Sequence, residues 1–405
     1  MKKRFLALTM AGALTLGLLA GCGGGSAPSA APSAVPSAAP AESGAPAAEP
    51  VTLKIGGIGP ITGSAAIYGT ATNWGAQVAV DEINAMQSDF KLEYRFEDDE
   101  ADGEKATNAY RTLQDWEVDI IYGCTTSGAC VAVAGETYSE RYFQLTPSAS
   151  SADVTAGHDN VFQMCFTDPN QGVAAAQYIA EKKLATKIAA IYNNADPYST
   201  GVYEAFAAEA AAKGLEIVST TTFSDDNNPD FSVQIRAAKD AGADLLFLPI
   251  YYTPASNILK QAKDMDYAPK FFGVDGMDGI LTLEGFDLSL AEGLMLMTPF
   301  NAYATDDKTV AFIDNYKKLS GGVDPNQFAA DGYDCIYAIY NAAKKAGITN
   351  GMSHEDICEA MVAVFTDGSF TVDGLTGSGM TWNTAGEVSK APAAVVIKDA
   401  IYVNM

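Results

Sequence analysis

The chain has 405 residues, of which 48% are hydrophobic and 10% aromatic, so it is long enough for a sizeable core and for two domains. Fifty acidic residues stand against 25 basic ones, and the formal net charge at pH 7 is −25. Such an acidic surface repels phosphate backbones, which argues against nucleic acid as a partner.

The first 21 residues have the pattern of an export signal. Lys2, Lys3 and Arg4 precede an apolar run over 5–20, and the run ends in Leu-Ala-Gly-Cys at 19–22. This pattern predicts a cleaved signal peptide over 1–21 and not a membrane span. The ending resembles the bacterial lipobox, which implies that Cys22 becomes the lipidated N-terminus. The alternative is an ordinary signal peptide with a chance cysteine.

A flexible tether is predicted over 22–50, because this stretch is nearly all Gly, Ala, Pro and Ser and cannot bury enough apolar surface to fold. No other run of 18 apolar residues occurs, so the body after the tether is predicted to be soluble. Together these features predict an extracytoplasmic protein that is anchored to the cell membrane by lipid.

The residues that usually build metal and catalytic sites are scarce. After lipidation of Cys22, five cysteines remain, none in a CxxC spacing, and the chain has only two histidines. Zinc, a redox dithiol and a Ser/His/Asp triad therefore lack support, and no G-x-S-x-G elbow is present. We expect no metal, no cofactor and no enzymatic activity.

From Val51 the hydrophobic pattern predicts alternating strands and helices. In a first series, the predicted strands are 53–58, 91–96, 120–122, 142–145 and 161–166, and the predicted helices are 70–86, 104–116 and 127–138. In a second series, the helices are 171–183, 199–213, 230–241 and 254–265, and the strands are 187–192, 215–222, 244–249 and 271–274. Two such series predict two lobes, each with a parallel sheet.

The last part of the chain is predicted to return to the first lobe. A strand at 294–297 is followed by three helices, at 309–319, 328–346 and 353–364, and by a final strand at 393–398. Three helices are too many for the second lobe alone. In parallel sheets the ligand lies outside the carboxyl ends of the strands, so the turns at those ends are the candidate sites.

One of these turns carries three hydroxyl side chains over 125–127, between the apolar strand 120–122 and a helix. Ser127 is a good N-cap, and the N–H groups of Gly128 and Ala129 behind it would carry the positive end of the helix dipole. A carboxylate would bind well there. The alternative is that Ser127 only caps its own helix.

Other turns contribute aromatic rings and one acid. Tyr68 begins the first helix of the body, and Tyr198, Tyr251 and Asp275 follow strands of the second series. An acid on one wall and an anion-accepting helix start on the other suit a zwitterion, because buried charges must be paired. A dinucleotide fingerprint at 55–63 fails because Pro60 lies inside the turn.

Several short segments together have a recognisable pattern: IGPITG at 58–63, YG at 68–69, AVDEIN at 79–84, FEDD at 96–99, GCTTSG at 123–128, TPSAS at 146–150, DFS at 230–232 and GVDG at 273–276. With these segments the chain resembles the leucine/isoleucine/valine-binding protein family of ABC importers. The resemblance covers the chain from about Val51 to its end. It implies an α/β type I periplasmic-binding fold, with two doubly wound parallel-sheet lobes joined by three crossover strands, that closes on its ligand.

The resemblance also implies roles for individual residues. Ser127, with the Gly128 N–H beside it, would bind the ligand carboxylate, and Ser148 and Ser150 would hold the polar head. Asp275 would face the ammonium, where the best-known members carry glutamate. The aromatic walls of the pocket would be Tyr68, Tyr198, Tyr251 and Phe328.

Taken together, the sequence predicts a monomeric receptor that captures a small amino acid, most often a branched-chain or other apolar one, and delivers it to an ABC permease. Lobe 1 is predicted to comprise 51–167 and 299–390, and lobe 2 to comprise 168–298 and 391–405. The alternatives are a sensor ectodomain that presents the same class of ligand to a receptor, and a binder of a related amide, urea or small carboxylate.

Overall fold

The structure, a computed structural model, describes residues 49–405. The predicted signal peptide, the predicted lipidation site Cys22 and all but the end of the predicted tether lie outside the described residues. Over 49–405, no helix is both long enough and apolar enough to cross a membrane.

The first sheet has five strands, all parallel, in the order β2-β1-β3-β4-β5. These strands are β1 (Val51–Gly59), β2 (Phe90–Asp98), β3 (Ile120–Gly123), β4 (Phe143–Thr146) and β5 (Val161–Gln163). Every residue of β3 is buried, as expected for a central strand with helices on both faces. The turn that follows β3 therefore lies at the carboxyl edge of the sheet.

The second sheet has seven strands in the order β12-β11-β10-β9-β8-β6-β7. They are β6 (Ile188–Asn193), β7 (Ile217–Phe223), β8 (Leu245–Leu248), β9 (Lys270–Gly273), β10 (Met295–Met297), β11 (Ala394–Lys398) and β12 (Ile401–Asn404). The sheet is parallel except at one edge, where β11 runs antiparallel to both β10 and β12. The sequence prediction did not include β12, which has only four residues and pairs with β11 alone.

In the described part of the chain, ten α-helices flank the two sheets. They are α1 (Ala66–Ala85), α2 (Gly103–Asp115), α3 (Ser127–Glu140), α4 (Asp168–Glu181), α5 (Pro197–Ala212), α6 (Ser232–Asp240), α7 (Tyr252–Asp264), α8 (Asp307–Ser320), α9 (Gln327–Ala346) and α10 (His354–Thr366). The helices α8 and α9 pack against α1, and α10 packs against β4, so the late helices belong to the first lobe.

The chain passes between the lobes three times: between β5 and α4, between β10 and α8, and before β11. The first two segments lead directly from a strand end into a helix. In the third, Lys390 is buried and donates from Nζ to Asp331 Oδ1 of α9 at 2.7 Å. A buried, paired lysine fixes this crossing against the first lobe, because leaving either charge unpaired there would be costly.

The contact between α1 and α9 depends on a missing side chain. Gly75 is buried in α1, and a Cβ at this position would lie 1.9 Å from the Ala329 carbonyl oxygen of α9. A backbone atom cannot rotate away as a side chain can, so a methyl group would push the two helices apart. The glycine therefore sets the spacing of the helix pair behind the first sheet.

We predict that Gly75→Ala lowers the free energy of unfolding by about 1–3 kcal/mol, the range for overpacking a well-packed interior. Urea unfolding followed by circular dichroism measures it. The matched control is Gly135→Ala in α3, where an added Cβ meets nothing within 4 Å. That change should leave stability unchanged or raise it by up to about 1 kcal/mol, since alanine is the better helix former. Equal effects of the two substitutions would contradict the close-approach argument.

Candidate functional site

The hydroxyl-rich turn after β3 leads into α3 as predicted, but the predicted helix cap is wrong by one residue. Thr126 has the extended backbone of an N-cap, with φ −99° and ψ 149°, and Ser127 is the first helical residue. The first helical hydrogen bond runs from Cys130 N–H to Thr126 O at 2.9 Å. The N–H groups of Ser127, Gly128 and Ala129 therefore have no partner within the helix.

The Ser127 side chain is used for a different purpose than capping. Its Oγ accepts hydrogen bonds from the backbone N–H groups of Ser150 at 3.1 Å and of Ser151 at 3.2 Å. Both contacts use the oxygen as an acceptor, so the hydroxyl proton remains free to donate. Ser127 is 2% exposed, and it faces the cavity between the lobes. One side chain thus fixes the neighbouring loop and keeps a donor for an anion.

The loop after β4 is tied to the same turn. Ser148 Oγ donates to the Thr125 carbonyl at 2.6 Å, and Thr146 Oγ1 donates to the Cys124 carbonyl at the same distance. Thr125 Oγ1 is 3.1 Å from Thr72 Oγ1 of α1. These bonds hold two strand ends and a helix in one rigid wall.

Tyr68 of α1 is the centre of an aromatic cluster that both lobes share. Its ring centroid lies 4.6 Å from that of Phe328, 5.4 Å from that of Tyr251 and 4.9 Å from that of Tyr252. Tyr251 in turn stacks on Tyr198 at 5.0 Å with an interplanar angle of 1°. The four predicted aromatic walls therefore form one connected surface.

Hydrogen bonds join the lobes around Tyr68. Its hydroxyl donates to the Gly276 carbonyl and accepts from the Tyr252 N–H at 3.0 Å. The Tyr252 hydroxyl accepts from the Ile67 N–H at 3.2 Å, and Thr253 Oγ1 donates to the Ser64 carbonyl at 2.8 Å. Tyr68 is only 2% exposed. The lobes are thus held together over the cavity by both backbone and side-chain contacts.

Asp275 follows β9 on the opposite wall and is 3% exposed. Its Oδ1 accepts a hydrogen bond from the Tyr198 hydroxyl at 2.8 Å, and its backbone N–H donates to Gln171 Oε1 at 3.1 Å. Burial raises the pKa of this carboxyl to about 7, although the bond from Tyr198 acts in the opposite direction. A cation beside Asp275 would lower this pKa and favour the charged carboxylate.

The cavity between these walls is small, with a volume of about 20 Å³. The structure brings seven of the nine predicted residues to its surface: Tyr68, Ser127, Ser148, Tyr198, Tyr251, Asp275 and Phe328. The other two lie outside it. Gly128 lines a larger neighbouring cleft, and Ser150 lies behind Ser127 with its Oγ buried and without a hydrogen-bond partner. A role in binding remains a prediction for all nine.

Three lining residues were not among the predicted site residues: Thr125, Thr126 and Gly276. The hydroxyl-rich turn is the sequence feature that could have identified the two threonines. Asp168, at the start of α4, was also missed. It is fully buried, neither carboxylate oxygen has a hydrogen-bond partner, and burial raises its pKa well above the usual range. An acid just before a proline is typical of a helix start, so no local pattern marks Asp168 as a site residue.

A profile of the family described as periplasmic binding protein matches residues 52–398 of the chain. The chain belongs to this family. Its members are extracytoplasmic solute-binding proteins and not enzymes. The type I fold predicted from the sequence is confirmed by solved structures that share it, and so is the resemblance on which the prediction was based.

The relatives of this periplasmic binding protein cover most of its length. The Leu/Ile/Val-binding protein BraC3 of Rhizobium johnstonii is 27% identical over 320 residues, which are 78% of this chain and 84% of BraC3. Among solved structures, the branched-chain amino acid transporter substrate binding protein LivJ of Streptococcus pneumoniae, in complex with isoleucine, aligns with a TM-score of 0.77 and 26% identity, covering 87% of this chain and all of LivJ. A solute binding protein of an ABC transporter from Rhodopseudomonas palustris, in complex with 3,4-dihydroxybenzoic acid, has a TM-score of 0.76 and 21% identity, covers 87% and 96% of the two chains, and shows the fold alone.

The raised pKa of Asp275 makes the ligand-free protein sensitive to pH. In the folded state the Asp275 carboxyl stays protonated up to about pH 7, whereas its ordinary pKa is 3.8. The stability that this carboxyl contributes is therefore greatest below pH 4 and is lost as the pH rises towards 7. Between pH 5 and 8 we expect wild type to lose about 2–3 kcal/mol more unfolding free energy than Asp275→Asn, since one pKa unit corresponds to about 1.4 kcal/mol.

Urea unfolding at several pH values measures this difference. Asp196 and Asp99 also have pKa values raised to about 7 by burial, but both are present in either protein, so the comparison isolates Asp275. Parallel stability curves for the two proteins would show that Asp275 is ionised in the ligand-free state at all pH values tested.

Proposed function

We propose that the protein is a solute-binding lipoprotein of an ABC importer, which captures a small amino acid in the cleft between its lobes and delivers it to a membrane permease. A branched-chain or other apolar amino acid is the class proposed first. The observation that carries the proposal is a cavity with anion-binding groups on one wall and a buried carboxyl group on the other.

The carboxylate of the ligand would bind at the start of α3. Ser127 offers its hydroxyl proton and its own N–H, and the helix dipole adds partial positive charge at the same place. Among the described residues, no Lys or Arg lines the cavity, so neutral donors and the helix have to balance the negative charge. Hydrogen bonds to a charged group are stronger than those between neutral groups, and a site closed to water strengthens them further.

The ammonium group would face Asp275. This carboxyl group is buried, and its one side-chain hydrogen bond comes from a tyrosine hydroxyl and not from a cation. An ammonium would give Asp275 the positive partner that it lacks among residues 49–405. Because two buried opposite charges must meet closely to offset their loss of water, the site favours a zwitterion over either single ion.

The ligand side chain would lie among the rings of Tyr68, Tyr198, Tyr251 and Phe328. Aromatic faces contact aliphatic groups well, and the narrow cavity limits the ligand to a small molecule. BraC3 is named for leucine, isoleucine and valine, and LivJ was solved with isoleucine, which supports the branched-chain class for this chain.

A small aromatic carboxylate is the second candidate. The stacked rings of Tyr198 and Tyr251 would accept a flat ligand, and a protein of the same fold was solved with 3,4-dihydroxybenzoic acid. Such a ligand has no ammonium and would leave Asp275 without a partner. An amide or urea would bind in the same cavity. A sensor ectodomain that presents its ligand to a receptor would also use this cavity. Permease and ATPase genes next to this gene would favour transport over sensing.

The anchor, the lobe boundaries and the monomeric state belong to the same proposal. Lipidation of Cys22 would attach the protein to the membrane through the tether 22–50, and a Cys22→Ala variant released from membranes during fractionation would support it. Lobe 1 would comprise 51–167 and 299–390, and lobe 2 would comprise 168–298 and 391–405.

A thermal-shift screen tests the proposed function most broadly. Ligand binding to the folded state alone raises the melting temperature with concentration. We expect shifts with branched-chain and other apolar amino acids. If only benzoates, urea or short amides shift the melting temperature, the ligand is one of these compounds and not an amino acid.

We predict that Ser127→Ala weakens binding of the amino acid by about 1–3 kcal/mol, the cost of leaving a buried acceptor unpaired. Titration calorimetry gives the affinity. Because Ser127 Oγ also accepts from the loop at 150–151, ligand-free stability should fall as well. A fall in stability with unchanged affinity would mean that Ser127 only holds that loop.

A further inference from the structure

A second, larger cleft adjoins the cavity, and the two share Thr126 and Tyr251 in their walls. It has a volume of about 500 Å³ and is open to solvent. Its charged lining residues are all acidic: Glu100 and Asp102 on the first lobe, and Asp196, Asp225 and Asp226 on the second. No Lys or Arg lines it. Lys105, outside the lining, pairs with Glu100 at 2.6 Å. The uncompensated charge is therefore concentrated on the second lobe.

Asp196 and Asp226 are the two acids that lie deepest in this cleft. Asp226 Oδ1 accepts from Asn193 Nδ2 at 3.0 Å. Asp196 accepts from the backbone N–H groups of Tyr198 and Ser199, both at a long 3.4 Å. Burial and the nearby Asp226 raise the pKa of Asp196 to about 7, which reflects two carboxyl groups with no cation between them.

Thr126 provides an independent indication of a ligand. It is 5% exposed, and its Oγ1 has no hydrogen-bond partner. As the N-cap of α3 it could have bonded to the helix, but its side chain makes no capping bond. A buried hydroxyl without a partner is unfavourable, and in the wall between two cavities a bound molecule can supply the missing partner.

We propose that the acidic cleft is a second arm of the binding site, which receives the terminal ammonium or guanidinium group of a basic amino acid. Thr126 and Tyr251 lie where the cavity and this arm adjoin, since both residues line both. The inference rests on the proposed function, because the same molecule places its α-carboxylate and α-ammonium in the cavity. It adds to the apolar class a longer ligand whose end reaches Asp196 and Asp226.

The chemistry favours an organic cation over a metal ion. Within residues 49–405, no three acidic, histidine or cysteine side chains converge closely enough to hold a metal. The carboxyl groups of Asp196 and Asp226 share the cleft with several hydroxyl groups and two asparagine side chains, and these acceptors instead suit a group with several N–H donors. A lysine or arginine ligand also brings an aliphatic stem, which the aromatic walls can contact.

Titration calorimetry with lysine and with norleucine tests the arm. Norleucine has the same straight carbon chain but lacks the terminal ammonium group. We expect wild type to bind lysine about tenfold or more tightly than norleucine, the gain from one charge-assisted hydrogen bond. The same titration in EDTA and in added calcium excludes a contribution from a metal ion.

Two variants and one control locate the effect. Asp196→Asn and Asp226→Asn should each lower the lysine-to-norleucine affinity ratio towards one. Asparagine remains a good N-cap, so Asp196→Asn keeps the start of α5. Asp240→Asn removes one exposed charge from the end of α6, outside both cavities, and should keep the ratio of wild type.

The outcomes separate the two claims. The inference is overturned if wild type binds norleucine as tightly as lysine. It is also overturned if the lysine-to-norleucine affinity ratio is unchanged in Asp196→Asn and Asp226→Asn. Either result leaves the proposed function intact. An equal loss in Asp240→Asn would show that the effect is only the net charge of the lobe. If neither amino acid binds and leucine also fails, the proposed function falls, and the inference falls with it.

Discussion

The structure depends on two opposite electrostatic features that face each other across a closed cleft. On one lobe, the start of α3 presents a hydroxyl and unpaired N–H groups; on the other, Asp275 is a buried carboxyl group without a cation. Each feature alone is common in α/β proteins. Because they face each other in one cavity, the site is selective for a zwitterion, which satisfies both features, whereas a single ion satisfies only one.

Closure and recognition use the same residues. Tyr68 forms part of the aromatic wall, and its hydroxyl also binds the backbone of the opposite lobe at Gly276 and Tyr252. A ligand that holds Ser127 and Asp275 together would therefore stabilise the closed state in which Tyr68 makes these bonds. Affinity and lobe closure are then linked, and the closed surface is what a permease could distinguish from the ligand-free protein.

The sequence predicted the fold well because strand and helix periodicity is local, and it placed Ser127 and Asp275 correctly at strand ends. It placed the helix cap one residue late, since three successive hydroxyl residues fit the same role equally well. The unpaired carboxyl group of Asp168 and the bond from the Tyr252 N–H to Tyr68 depend on how the lobes meet. No local pattern encodes that arrangement, so these features required the structure.

The most direct test of the central claim is a calorimetric comparison of leucine with two analogues that each lack one charge. 4-Methylpentanoate keeps the carboxylate without the ammonium, and 3-methylbutylamine keeps the amine without the carboxylate. We predict that each binds at least about 30-fold more weakly than leucine, corresponding to about 2 kcal/mol or more for one side of a buried charge pair. Binding of 4-methylpentanoate as tight as that of leucine would contradict it, because Asp275 would then have no part in recognition.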